Sequence, residues 1–141
     1  MIISAKSRYA ITAILEIALI SNQNKPVSLQ VISKNRKISL NSLEQIFHSL
    51  RNANIVKSFK GPGGGYVING QLDEINILSI LDALNENTKM TKCIECKTSG
   101  NIQNQNKCYT HHLWKGLTYN IREYFANISV GDIVTKNIII N

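Results

Sequence analysis

Residues 40 to 54, LNSLEQIFHSLRNAN, constrain this chain more tightly than any other stretch. Leu43, Ile46, Phe47 and Leu50 recur at i, i+3, i+4 and i+7, the spacing of one buried helix face. Asn41 followed by Glu44 reads as an N-cap with a carboxylate that reaches back, a relative of the capping box. The opposite face carries Ser42, Gln45, His48, Ser49 and Asn52, with Arg51 near the end. Such hydrogen-bonding side chains reach base edges and phosphates when a helix N-terminus enters a major groove. On this element alone an ordinary solvated face explains them as well, so its neighbours decide.

Ser28 caps a short second helix, SLQVISKNR, with Leu29 and Ile32 on one face. KNRKIS makes the turn into the third helix, and a short helix plus tight turn before an amphipathic helix is a helix-turn-helix arrangement. Ser7 or Ser4 is placed to cap a first helix running to about Ser21. That helix is apolar almost all round (Ile11, Ala13, Ile14, Leu15, Ile17), as a central core helix must be, and NQNKP breaks it. After the third helix come IVKSFK, GPGGG and YVIN, two β-prone runs around a glycine-rich turn, hence a hairpin. Gly61, Gly63, Gly64 and Gly65 permit positive φ and close backbone approach. A phosphate-cradling nucleotide loop would continue into Lys and Ser/Thr at a helix mouth; Tyr66 and a strand follow instead. A wing along a DNA backbone fits, with Lys57 and Lys60 on phosphates, and a plain hairpin with a flexible tip is the bland alternative.

NILSILDALNE, residues 76 to 86, reads as a short helix with Ile77, Ile80, Leu81 and Leu84 on one face. In THHLWKGLTYNIREYFANI, residues Trp114, Leu117, Ile121, Tyr124 and Ile128 are spaced 3, 4, 3, 4, a heptad seam that packs on a second copy or back on its own core. Gly116 weakens this helix, so tertiary or dimer contacts must support it. The expected fold is mainly α with a small β-hairpin wing: a winged helix-turn-helix domain over 1–86, a ligand loop over 87–112, a dimerisation helix over 113–130 and a tail over 131–141.

Sixteen Lys+Arg against nine Asp+Glu give a formal net charge of +7, which favours a polyanionic partner, most often nucleic acid. The signal is discounted somewhat, because an A/T codon bias also enriches lysine, isoleucine and asparagine. The most apolar run, YAITAILEIALI, is twelve residues long and carries Thr12 and Glu16, too short to span a bilayer. With no secretory signal pattern, the expectation is a cytoplasmic protein without a membrane partner. No nucleophile–base or carboxylate pair stands in a catalytic setting, so an enzyme is not expected.

KCIECKTSGNIQNQNKCYTHH, residues 92 to 112, gathers all three cysteines and two of the three histidines. An odd cysteine count without an export signal argues against a disulfide framework. Cys93 and Cys96 share one spacing with Cys108 and His111, and the residues between the pairs are polar enough to close one site. Taken from the residues alone, C-x-x-C…C-x-x-H is a structural Zn2+ pattern. A thiol redox or metal-carrier role for Cys93 and Cys96 ranks low, since a thioredoxin-like pair wants a strand-to-helix turn.

SAKSRYAITAILEIAL, ISLNSLEQIFHSLRNANIV and KGPGGGYVI together resemble the winged-helix domain of the IscR-type family of bacterial transcription regulators. KCYTHHLW and NISVGDI extend the resemblance to about residue 134. The resemblance implies a homodimer on a double-stranded DNA operator. Ser39, Leu40, Asn41, Glu44 and Gln45 would occupy the DNA-reading positions, and Lys60, Gly61, Pro62, Gly63 and Gly64 the wing. Ser4, Lys6, Arg8 and Tyr9 would contact phosphates, with Lys57 and Ser28 completing the DNA-facing set. Lys37 stands where many relatives have a turn glycine, and Lys60 where they often have arginine. The same resemblance implies an iron–sulfur cluster, in the best-known branch a 2Fe–2S cluster, delivered by cluster donors and tied to control of cluster-assembly or iron and redox-stress genes. Cys93, Cys108 and His111 match its ligand positions, and His111 is preferred to His112. Cys96 departs from the family spacing. With the spacing found here, Cys93 and Cys96 pair on one iron and Cys108 and His111 on the other.

Overall fold

Serines open each of the first three helices in the computed structural model, which describes residues 3–21, 25–90 and 110–136. Ser4 starts α1 (Ala5–Ile20) by accepting from the Ser7 N–H. Ser28 starts α2 (Leu29–Arg36) by accepting from Val31, and Ser39 starts α3 (Leu40–Asn52) by accepting from Ser42. Each satisfies one of the backbone donors a helix start leaves unpaired. The third cap corrects the expectation of Asn41. With Ser39 as the cap, Leu40 becomes the first helical residue and packs against the core, whereas a cap at Asn41 would leave it outside the helix. Asn41 and Glu44 are thereby released to the surface.

The core forms where α1 passes behind α2 and α3. Ala10, Ala13, Ile14 and Ile17 of α1 are fully buried, as are Ile32 of α2 and Leu43, Ile46, Phe47 and Leu50 of α3. The third-helix stripe is therefore the buried face its spacing predicts. Between α2 and α3, Lys37 sits in the left-handed region at φ 54 and ψ 40, which costs a side-chain-bearing residue about 1 kcal/mol. A buried carboxylate fixes the approach to that turn: Glu16 of α1 accepts from Asn35 at 2.8 Å and pairs with the Arg36 guanidinium.

Strands β1 (Val56–Phe59) and β2 (Gly65–Ile68) pair antiparallel, with Lys57 opposite Val67 and Ser58 opposite Tyr66. Val27 joins them as a third, one-residue strand through two 2.9 Å backbone bonds with Tyr66. At the tip the Gly64 N–H donates to the Gly61 carbonyl at 2.9 Å, while Gly63 takes φ +74. Pro62 and Gly63 thus form the centre of a type II turn, which demands positive φ at its third residue.

A 3-10 turn (Leu72–Glu74) leads to α4 (Ile77–Ala83), and the chain resumes with α5 (His111–Ala126) and α6 (Val130–Val134). The seam predicted along the long helix ends at Tyr124. Ile128 lies beyond α5, where its carbonyl accepts from Ile77 while Val130 donates to Ile75. Residues 131–134, expected in a tail, are helical, opened by a capping box between Ser129 and Asp132. Val130 is fully buried, so this return segment belongs to the core that α1 organises. Among the described residues, no helix is long and apolar enough to cross a membrane.

Candidate nucleic-acid interface

Burying one face of α3 leaves its other face to solvent. Ser39, Asn41, Glu44, Gln45 and His48 are exposed, while Leu40 is half-buried at the rim. Ser39 also donates its hydroxyl to Ser42 at 2.6 Å, and His48 is paired with Asn52 one turn on at 3.2 Å. That pairing suits a surface residue and not a metal ligand. The first turn of α3 therefore presents an uncapped amide, a carboxylate and a second amide around a helix N-terminus.

The wing stands beside this helix because Tyr66 links it inward. Its ring lies 4.7 Å from that of Phe47, and its backbone carries the Val27 bridge. Ser28, half-buried at the α2 start, is drawn against the wing base: a Cβ on Gly65 would lie 2.7 Å from the Ser28 nitrogen. α2, α3 and the hairpin are thus one rigid unit. Lys60, Gly61, Pro62 and Gly63 are exposed at the tip, with Gly64 half-buried.

Lys57 is placed differently. Register puts it on the hairpin face with Phe59 and Val67, opposite the face of Ser58 and Tyr66. There it lines a groove with Ile17, Ala18 and Leu72. Lys60 at the tip, not Lys57, is the wing's best-placed cation for a DNA backbone. On α1, Ser4, Lys6, Arg8 and Tyr9 are all exposed over the first turns, while Ser7 and Ala10 between them are buried.

Of the proposed metal ligands, Cys93, Cys96 and Cys108 lie outside the described residues. His111 is the first residue of α5 and half-buried, with His112 exposed and its ring 5.6 Å away, nearly edge-on. Three thiols and one imidazole are a donor set that suits either zinc or an iron–sulfur cluster. Sequence reading missed the contacts that tie α5 to the DNA-facing domain. Arg122 forms a two-pronged pair with Asp82 at 3.0 and 3.1 Å and donates to the hydroxyl of Thr88 at 3.0 Å. A weaker tie runs from the Met90 N–H to Thr118 at 3.4 Å.

A helix-turn-helix whose second helix lies free beside a β-hairpin defines a winged-helix transcriptional regulator, not an enzyme. The chain belongs to the Rrf2 family, described as iron-dependent transcriptional regulators, whose pattern matches residues 3–136. It is similar to the HTH-type transcriptional regulator IscR of Vibrio parahaemolyticus, 42% identical over 137 residues covering 97% of this chain and 79% of the relative. The regulator IscR of Klebsiella pneumoniae is 36% identical over 141 residues, covering 100% of this chain and 84% of the relative. Among solved structures, CymR, the global cysteine regulator of B. subtilis, superposes with a TM-score of 0.78 at 26% identity, covering 96% and 98% of the two chains. IscR of T. potens gives 0.75 at 25% identity, covering 98% and 89%. The family resemblance and the winged-helix fold expected from the sequence both hold.

Proposed function

We propose that this chain is a cytoplasmic regulator that binds a double-stranded DNA operator as a homodimer, with an iron–sulfur cluster setting its promoter affinity. The observation that carries the DNA reading is the division of α3. Its apolar face is wholly buried, while Asn41, Glu44 and Gln45 stand exposed at its N-terminus beside a wing tipped by Lys60. The first turn of α3 enters the major groove, where Asn and Gln amides pair with base edges. Lys60 and the exposed Lys6 and Arg8 hold phosphates and set the register.

Dimerisation is supported by α5. Leu113, Leu117, Tyr119 and Tyr124 are 36% exposed or more, a row of large apolar groups on a helix roughly 24 Å long. Burying that row against a second copy gives a two-fold pair of reading helices, matched to a two-fold operator.

Cys93, Cys96, Cys108 and His111 would hold the cluster, which supplies a tie sensitive to iron and redox state. Its coupling to DNA runs through this chain's own contacts, since His111 opens the helix that Arg122 and Thr118 fasten to residues 82–90. A histidine ligand is neutral and can be protonated, which favours a cluster that is readily lost.

Binding to DNA duplexes over a range of salt tests the interface. Lys60→Ala is expected to weaken binding to all sequences and to flatten the log K against log salt slope by about one unit. Gln45→Ala instead relaxes sequence preference, at roughly 1–3 kcal/mol of lost discrimination. A Lys60→Ala protein with an unaltered salt slope would remove the wing from the interface.

A further inference from the structure

We propose that Glu86 is an intramolecular competitor for the DNA backbone at the N-terminus of α1, carried there by a strap that α5 grips. The inference rests on the placement of Ser4 to Tyr9 in the DNA-facing surface. The carboxylate of Glu86 accepts from the Ser4 hydroxyl at 2.5 Å, from the Ser4 N–H at 3.4 Å and from the Ser7 hydroxyl. Burial pushes its pKa up, but hydrogen bonds from the Ser4 hydroxyl, the Ser7 hydroxyl and the Ser4 N–H outweigh burial and hold it below its ordinary 4.5. At neutral pH it is an anion. A phosphate oxygen arriving at the start of α1 would need the same donors and would meet a like charge.

The contact is not a local cap. Ser4 already caps α1 with its own hydroxyl, at 3.1 Å from the Ser7 nitrogen, and Glu86 comes from 82 residues away. A Schellman closure of α4 delivers it: Asn85 is left-handed at φ 53, its N–H donates to Asp82 and the Glu86 N–H donates to Leu81. Beyond Glu86 the chain is fastened to α5. Thr88 is 3% exposed and receives Arg122, and Met90 donates to Thr118. Residues 85–90 are therefore a strap with the α1 N-terminus at one end and the His111-bearing helix at the other. A shift of α5 against α4 draws the strap and withdraws Glu86, freeing Ser4 beside the exposed cations Lys6 and Arg8.

The test is salt-dependent binding of the full chain to a mixed-sequence DNA duplex, because a phosphate contact needs no particular sequence. Glu86→Gln keeps the shape and removes the charge. It is expected to bind roughly three- to tenfold tighter at low salt, with the slope steeper by about one unit. Ser7→Ala removes one donor at a buried site and tightens binding by a smaller factor, with no further gain in the Glu86→Gln background. If Glu86→Gln fails to fold, the Ser7→Ala protein alone decides. Unchanged or weaker binding with an unchanged slope in both variants overturns the proposal. Lys60→Ala, measured alongside, separates the failures. If it weakens binding while neither latch variant tightens it, the latch is wrong; if it too has no effect, the interface reading beneath it is wrong.

Discussion

Phe47→Ala is expected to destabilise the protein by about 3 to 5 kcal/mol, measured as a fall in the urea midpoint at unchanged slope. The ring is fully buried and stacks at a tilt on Tyr66, 4.7 Å away. Truncation leaves a void bounded by α3 and by β2, two elements that cannot both follow the collapse without parting. Against a typical domain stability of roughly 5 to 15 kcal/mol, this loss alone brings the fold near its threshold. Phe47→Leu fills most of the volume and is expected to cost markedly less. DNA binding should fall in Phe47→Ala even under conditions where the protein remains folded, because the ring pair holds the reading helix against the wing.

Gly65→Ala is the second large effect, expected at about 2 to 4 kcal/mol. A Cβ there would lie 2.3 Å from the Val27 carbonyl oxygen and 2.4 Å from its carbon, all backbone. No side chain can swing aside, so Val27 must separate from Tyr66 and both bridging bonds are lost. The same movement displaces Ser28 at the start of α2. The expected signature is a lower thermal midpoint together with loss of DNA affinity beyond what the unfolded fraction explains. A variant with wild-type stability would show that residues 27–28 do not hold the hairpin to the helix-turn-helix.

Local pattern carried much of this fold. The stripe from Leu43 to Leu50, the Ser28 cap and the run around GPGGG each depend on neighbours within a few residues, and each lies where spacing places it. Even the departure at Lys37 has its structural counterpart in a left-handed φ. Errors arose where two local solutions compete or the partner is remote. Ser39 and Asn41 are both good caps, and tertiary burial of Leu40 favours the first. Ile128 continues the heptad spacing arithmetically, yet the helix has ended and the chain has turned back onto α4. The Glu86 contacts span 79 and 82 residues and the Arg122–Asp82 pair spans 40, and no periodicity encodes such meetings. A sequence hint existed in Asn85, a residue type that readily takes the left-handed position closing a helix. Of the ligand set, the cysteine spacing was plain in the sequence, and the described residues add the position of His111.

Those placements converge on one claim, that the state of the ligand site changes how the reading helices meet DNA. It is tested most directly by purifying the protein without oxygen, measuring its iron, sulfide and zinc, and titrating it against genomic promoter fragments beside a Cys93→Ala, Cys108→Ala double variant. The account predicts a coloured protein with iron and labile sulfide, whose affinity for at least one promoter differs from that of the double variant by about 5- to 150-fold. A colourless protein holding one zinc per chain, or equal affinity of the two proteins on every promoter, would contradict it.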